Sequence, residues 1–139
     1  MRRLTNILAI LGMALSLGAP ARAAEASPDA RALIERQLDA FAHDDAAAAY
    51  ALATPSIQQI FPDADAFLSM VKNKYGAVYS HRSVEFGAAS VEADSIGQSV
   101  TFVDKDNLVW SAVYQLARQA DGGWRIQGCV IVKSTESSL

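Results

Sequence analysis

Residues 108–132 read LVWSAVYQLARQADGGWRIQGCVIV, and the alternation in this stretch decides the fold. Leu108, Trp110, Ala112, Tyr114 and Leu116 fall at every second position, so they share one face of an extended strand. Asp121-Gly122-Gly123 supplies the residues of a hairpin turn. Trp124, Ile126, Val130 and Val132 then fall on one face of a last strand, with Trp124 expected to be mostly buried at the hairpin's end. Both strands are also apolar on their second faces, through Val109, Val113, Ala117, Cys129 and Ile131. A layer of helices covers one side of a sheet, so the other side calls for strong curling or for a second chain.

Working backwards from this hairpin, Asp104-Lys105-Asp106-Asn107 is a turn cluster and Gln98–Val103 alternates before it. Ser90–Ala93 reads as a short strand. Val78–Phe86 is rich in β-branched and aromatic residues and reads as another.

Further upstream the period changes to that of a helix. Ser27-Pro28-Asp29 is a helix start: serine caps, proline suits the first turn, and aspartate complements the dipole. Ala30, Leu33, Ile34, Leu38 and Phe41 recur at helical spacing behind it. Asp44 and Asp45 interrupt and cap a second helix over Ala46–Ala53, which Pro55 ends by disfavouring helical geometry at Thr54. Ser56–Phe61 adds a further turn, closed by Pro62. Asp63 caps a third helix carrying Phe67, Leu68, Val71 and Tyr75, with Gly76 placed for a left-handed C-cap. Helices grouped before strands predict an α+β fold, N-terminal helices packed on a curved antiparallel sheet.

The N-terminus reads as an address. Arg2 and Arg3 precede an apolar run, Ile7–Leu17, and Ala21-Arg22-Ala23 is a small-x-small cleavage site. The run is too short to span a bilayer. The reading is a cleavable signal peptide over 1–23, a single domain over 24–139, a periplasmic or secreted location, and no membrane association after cleavage.

The chain has 139 residues and a formal net charge of −3, with 51% hydrophobic and 19% charged residues. That is one domain's length and too apolar for a disordered chain. The acidic balance argues against a nucleic-acid partner. Loss of Arg2, Arg3 and Arg22 with the leader makes the domain more acidic still. One cysteine, Cys129, forms no internal disulfide and no cysteine-based zinc cluster, so the exported domain relies on packing alone.

Three segments carry a resemblance. Gln37-Leu38-Asp39-Ala40-Phe41 runs on to Asp44-Asp45; Ala53-Thr54-Pro55-Ser56-Ile57-Gln58 follows; Asp121-Gly122-Gly123-Trp124-Arg125-Ile126-Gln127-Gly128-Cys129 closes the chain. Together they resemble an uncharacterised family of exported bacterial domains of unknown function. The element order resembles the cone-shaped cystatin-like superfamily typified by nuclear transport factor 2, ketosteroid isomerase and the polyketide cyclases. The resemblance implies a pocket between the curled sheet and the helices, where enzymes of that superfamily place a carboxylate, a histidine or a tyrosine.

The candidate pocket residues are Tyr50, Tyr79, His81, Trp110, Tyr114 and Cys129. His81 is the candidate general base, though no carboxylate at fixed spacing orients it, which favours a surface strand histidine. His43 reads as a dipole partner at a helix end. Asp44 and Asp45 read as caps rather than a catalytic pair. Cys129 needs a base beside it to act as a nucleophile and otherwise is an inert thiol. Trp110, Tyr114 and Trp124 line either a pocket or plain core, and Tyr50 faces the same space. Asp104-Lys105-Asp106-Asn107 opens like a calcium loop, but position six is Val109 and position twelve Gln115, so it reads as a turn. No nucleotide, serine-hydrolase or zinc-protease motif occurs, and neither a cofactor nor a metal is expected.

Two readings follow. One is an exported, non-catalytic module that binds a small apolar ligand or a partner protein. The other is a small pocket enzyme of the isomerase or cyclase type, which rests on fold analogy. A homodimer through the sheet is expected with either.

Overall fold

The computed structural model describes residues 25–134, so the expected signal peptide over 1–23 lies outside the described residues. Five helices come first: α1 (Pro28–Ala42), α2 (Ala46–Ala51), α3 (Pro55–Ile60), α4 (Ala64–Lys74) and α5 (Gly76–Tyr79). Four strands follow: β1 (His81–Val91), β2 (Ser95–Asp104), β3 (Val109–Arg118) and β4 (Trp124–Lys133). The strands form an antiparallel sheet in the order β1-β2-β3-β4. The fold is α+β, with the helices laid on one face of a curved sheet. No helix among the described residues is long and apolar enough to cross a membrane.

The helix starts follow from short polar side chains that accept the first free amides. Ser27 accepts from the Ala30 amide at 3.3 Å, Asp45 from Ala48 at 3.1 Å, Thr54 from Ile57 at 3.4 Å and Asp63 from Ala66 at 2.8 Å. Pro28 and Pro55 each open a helix, where a missing N–H leaves nothing unsatisfied. His43 ends α1, its Nδ1 2.8 Å from the Asp39 carbonyl.

Three expectations are corrected in this region. Gly76 is no left-handed cap; it begins the short helix α5. Val78 and Tyr79 therefore belong to that helix, and the strand starts at His81. Ser90 lies in the same strand, because two register irregularities in β1 absorb the break in alternation that the sequence shows.

The inner face of the sheet is the floor of the core. Ile96, Val100 and Phe102 of β2, and Ala112, Tyr114 and Leu116 of β3, are buried against Ile34, Phe41, Phe67 and Val71 of the helices. Each large side chain so buried contributes roughly 1.5–3 kcal/mol. An isolated bridge fixes the helical layer to the sheet edge. The Thr54 amide donates to the Ile126 carbonyl and the Ile126 amide to the Leu52 carbonyl, both at 2.9 Å.

The face assignment of β4 is also corrected. Gln115 pairs with Gly128 and Leu116 with Ile126, so Gln127 is an extra residue bulged out of the ladder. Beyond it the alternation is inverted. Cys129, paired with Tyr114, and Ile131, paired with Ala112, face the helices. Val130 and Val132 join Val113 on the outer face, where the three are 66%, 61% and 42% exposed. Trp124 is partly buried and packs against the core, with the Arg118 guanidinium 4.4 Å from its ring centroid.

Candidate functional site

A cavity of about 330 Å³ lies between the helical layer and strands β3 and β4. It falls at the small end of the range that holds small-molecule ligands. Its inner wall is buried and comes from three layers. Gln37 and Phe41 descend from α1, Phe67 and Val71 from α4, and Tyr114 and Ile126 rise from the sheet. The helical spacing of Phe67, Met70, Val71 and Lys74 places all four along the cavity. Ile57, Ile60 and Phe61 stand at the rim, contributed by α3 and the residue after it. No residue of α3 is buried, and Ile60 is 69% exposed.

Most polar groups at the cavity are occupied by the fold. Gln37 Nε2 donates to the Ala49 carbonyl at 3.2 Å. The Tyr75 hydroxyl donates to the Cys129 carbonyl at 3.1 Å, tying the end of α4 to β4. The Cys129 thiol points to the Val130 carbonyl at 3.9 Å, a weak contact. Burial pushes that thiol up to about 12, against a small opposing effect of Tyr114. Tyr114 is different. It is 1% exposed, and its hydroxyl finds no oxygen or nitrogen acceptor among the described residues; its neighbour is the Cys129 thiol, a weak hydrogen-bond partner. Burial first, and the neighbouring thiol second, push the phenol well above its ordinary value.

The remaining candidate residues stand elsewhere. Tyr50 packs behind the cavity wall, its ring centroid 5.7 Å from that of Phe67 and its hydroxyl donating to the Gln58 carbonyl at 2.6 Å. Trp110 lies near the other end of β3, and its indole N–H donates to Asp104 Oδ2 at 2.9 Å. The same carboxylate accepts the Asp106 and Leu108 amides, each at 2.9 Å, so it organises the β2–β3 turn. The Trp110 bond is the main cause of its lowered pKa.

Tyr79 and His81 line a second, more open cleft with Glu35, Asp39 and Lys105. The Tyr79 hydroxyl donates to Asp44, which also pairs with Lys72 at 3.1 Å. Tyr79 first and Lys72 second hold the Asp44 carboxyl below its ordinary value. His81 packs on Phe102 with ring centroids 5.2 Å apart, its Nδ1 3.2 Å from the Val78 carbonyl. Asp45 caps α2 while Asp44 takes the left-handed backbone with φ of 52°, so the two carboxylates serve different partners. Among the described residues no group of three or more His, Cys, Asp or Glu is placed to hold a metal ion.

The structure thus brings Tyr114 and Cys129 together in the cavity and leaves Tyr50, Tyr79, His81 and Trp110 outside it. The cavity residues from the helices were visible in the sequence only as helical core. Nothing in their spacing distinguishes a lining residue from a packed one.

Comparison with known proteins bears on the family and on the fold. Residues 23–139 match a family described as a domain of unknown function, DUF4864. A solved structure of an NTF-2-like protein of unknown function from Silicibacter pomeroyi DSS-3 is similar, with a TM-score of 0.50 and 18% identity. The similarity covers 76% of this chain and 93% of that one. No match to a curated protein was found.

Proposed function

The chain belongs to the DUF4864 family of domains of unknown function, and from that premise we propose that it is a non-catalytic module that binds one small apolar ligand in the cavity between α4 and the sheet. The observation that carries this reading is the cavity's lining. Aliphatic and aromatic side chains dominate it, and both titratable groups at its floor are held in their neutral forms. The isomerase or cyclase reading asks instead for a carboxylate or an imidazole facing the ligand. His81 and the aspartates described above line other surfaces. Titration with the fluorophore 1-aminoanthracene tests the reading, with enhanced emission on binding as the readout. Met70→Trp narrows the cavity and is expected to weaken binding at least tenfold. Equal emission with the unfolded chain, or no effect of Met70→Trp, counts against it.

The module is proposed to work outside the cytoplasm, on the strength of Arg2, Arg3, the Ile7–Leu17 run and the Ala21-Arg22-Ala23 site. The intact mass of the exported protein checks this, with a mature start at Ala24 expected.

The outer face of the sheet is proposed to pair with a second copy of the chain. Val113, Val130 and Val132 stand there beside Ser99, Thr101 and Ser111. The charged members of the face, Glu85 and Arg125, sit on the edge strands β1 and β4, so a two-fold pairing brings no charge onto its own copy at the centre. Four strands spaced about 4.8 Å apart, each about 34 Å long, present roughly 650 Å². That approaches the ~800 Å² per partner of a stable interface.

A further inference from the structure

The wall that α4 gives the cavity is graded along the helix. Phe67 and Val71 are buried, Met70 is partly buried, and Lys74 is exposed. Lys74 and Ile60 are the exposed members of the lining, so they mark its mouth. Lys74 also brings the lining its charge, because no Asp, Glu, Arg or His stands with it among the described residues. That sign runs against the chain as a whole, in which 15 acidic residues outnumber 12 basic ones. Lys72, two positions earlier, is engaged elsewhere: it pairs with Asp44 at 3.1 Å and stands 5.1 Å from the Tyr79 ring centroid. No carboxylate among the described residues forms such a pair with Lys74.

We propose that the bound molecule is an amphipathic anion, a medium-chain carboxylate, whose chain fills the cavity and whose head group stands in water beside the Lys74 ammonium. This rests on the ligand-binding reading above and names the class of ligand. The floor fixes the direction of entry. Phe67, Val71, Tyr114 and Ile126 offer a carboxylate no cation, and a charge carried down to them would lose its hydration without compensation. At the mouth the carboxylate keeps its water and gains the ammonium. A neutral head group gains no charge pairing there. An exposed ion pair contributes a factor of up to about five in affinity, so Lys74 selects the head group while the apolar wall supplies most of the binding. The volume of about 330 Å³ sets the chain length. At about 30 Å³ for a water-sized atom it takes roughly eleven non-hydrogen atoms, which suits a chain of about eight to ten carbons. The molecule is held without reaction.

Octanoate and 1-octanol, two probes with chains of equal length, test the proposal by titration calorimetry at about pH 8, where the carboxylate is ionised. Octanoate is expected to bind wild type at least as tightly as octanol. Lys74→Glu is expected to lower the ratio of octanoate to octanol affinity about five- to tenfold, and Lys74→Met about two- to fivefold, with octanol binding unchanged in both. Lys105→Glu makes the same change of net charge outside this cavity and is expected to leave the ratio alone. Raising the salt from about 50 mM to about 500 mM is expected to lower the ratio in wild type and not in Lys74→Met. A Lys74 that serves only the end of α4 would change both affinities alike. If both probes bind and the ratio ignores Lys74→Glu, or moves equally in Lys105→Glu, the assignment is overturned while the binding reading stands. The same holds if octanol or 1-aminoanthracene binds wild type and octanoate does not. If neither probe nor 1-aminoanthracene binds, the binding reading itself falls, and this one with it.

Discussion

The amide of Ser27 donates to Oε1 of Gln98 at 2.9 Å, across 71 positions of sequence. Gln98 is fully buried in the middle of β2, and its Nε2 donates to the Gly87 carbonyl at 2.8 Å and the Ser99 carbonyl at 2.9 Å. One side chain thus joins the residue that caps α1 to the irregular stretch of β1. The Ala89 amide adds a bond to the Glu25 carbonyl at 3.1 Å. The first helix is fixed to the sheet by polar contacts at its start and by packing along its length.

Replacing Gln98 with leucine keeps the volume and removes every partner. The Ser27 amide and the Gly87 carbonyl are then left without their bonds in a buried setting. An orphaned buried group costs about 1–3 kcal/mol, so Gln98→Leu is expected to lower stability by roughly 2–4 kcal/mol. The midpoint of urea unfolding measures it, and an unchanged midpoint would mean that water replaces the side chain freely.

Trp124→Ala is expected to cost about 1–3 kcal/mol. The value lies below the range for a fully buried tryptophan because the ring is only partly buried and packs under Arg118. Arg118→Ala should remove only the stacking part, well under half of that loss. A urea series on the two single variants and the double variant separates the contributions.

Cys129 should react slowly with iodoacetamide at pH 8. Burial raises its folded pKa from 9.0 to about 12, and the thiolate is the reactive form. The sign for stability follows. The folded state keeps a proton that the unfolded chain gives up, so the contribution is complete below pH 9 and is lost as the pH rises toward 12. Cys129→Ala should flatten this alkaline limb. Mass spectrometry of timed alkylation, with and without urea, checks the reactivity.

Sedimentation of the mature domain at micromolar concentration is expected to show a dimer, and Val113→Asp to convert it to a monomer. A monomeric wild type that Val113→Asp destabilises would assign the cover of the face to this chain's own residues. A monomer with unaltered stability would leave the face without any partner. Either result overturns the pairing.

The fold was legible where local chemistry decides it. Ser27, Asp45 and Asp63 each announce a helix by the bond their side chains make to the backbone, and Asp121-Gly122-Gly123 announces the hairpin, with Gly122 at φ of 84°. What depends on pairing between distant strands was not legible. The bulge at Gln127 is a property of the register with β3, so the inversion that brings Cys129 inward leaves no mark on β4 read alone. The resemblance drawn from the three quoted segments agrees with the family match and the nuclear transport factor 2-like fold. The site was less accessible. Tyr50, Trp110 and Tyr79 looked equivalent to Tyr114 as aromatics, yet each finds an oxygen acceptor within the fold. Only packing in three dimensions distinguishes the tyrosine that does not.

The bulge at Gln127 gives the cavity a sensitivity of an unusual kind. Point substitutions change one lining atom group at a time. Deleting Gln127 would remove the extra residue and leave Gly128 opposite Gln115, so Cys129 and Ile131 would still face the helices. Pairing Gln127 itself with Gln115 would instead shift the rest of β4 by one residue. Val130 and Val132 would then line the interior in place of Cys129 and Ile131, and the thiol would stand among the valines of the outer face. One irregularity of pairing, with no change of composition, thus decides which side chains of β4 face the helices and which form the outer surface.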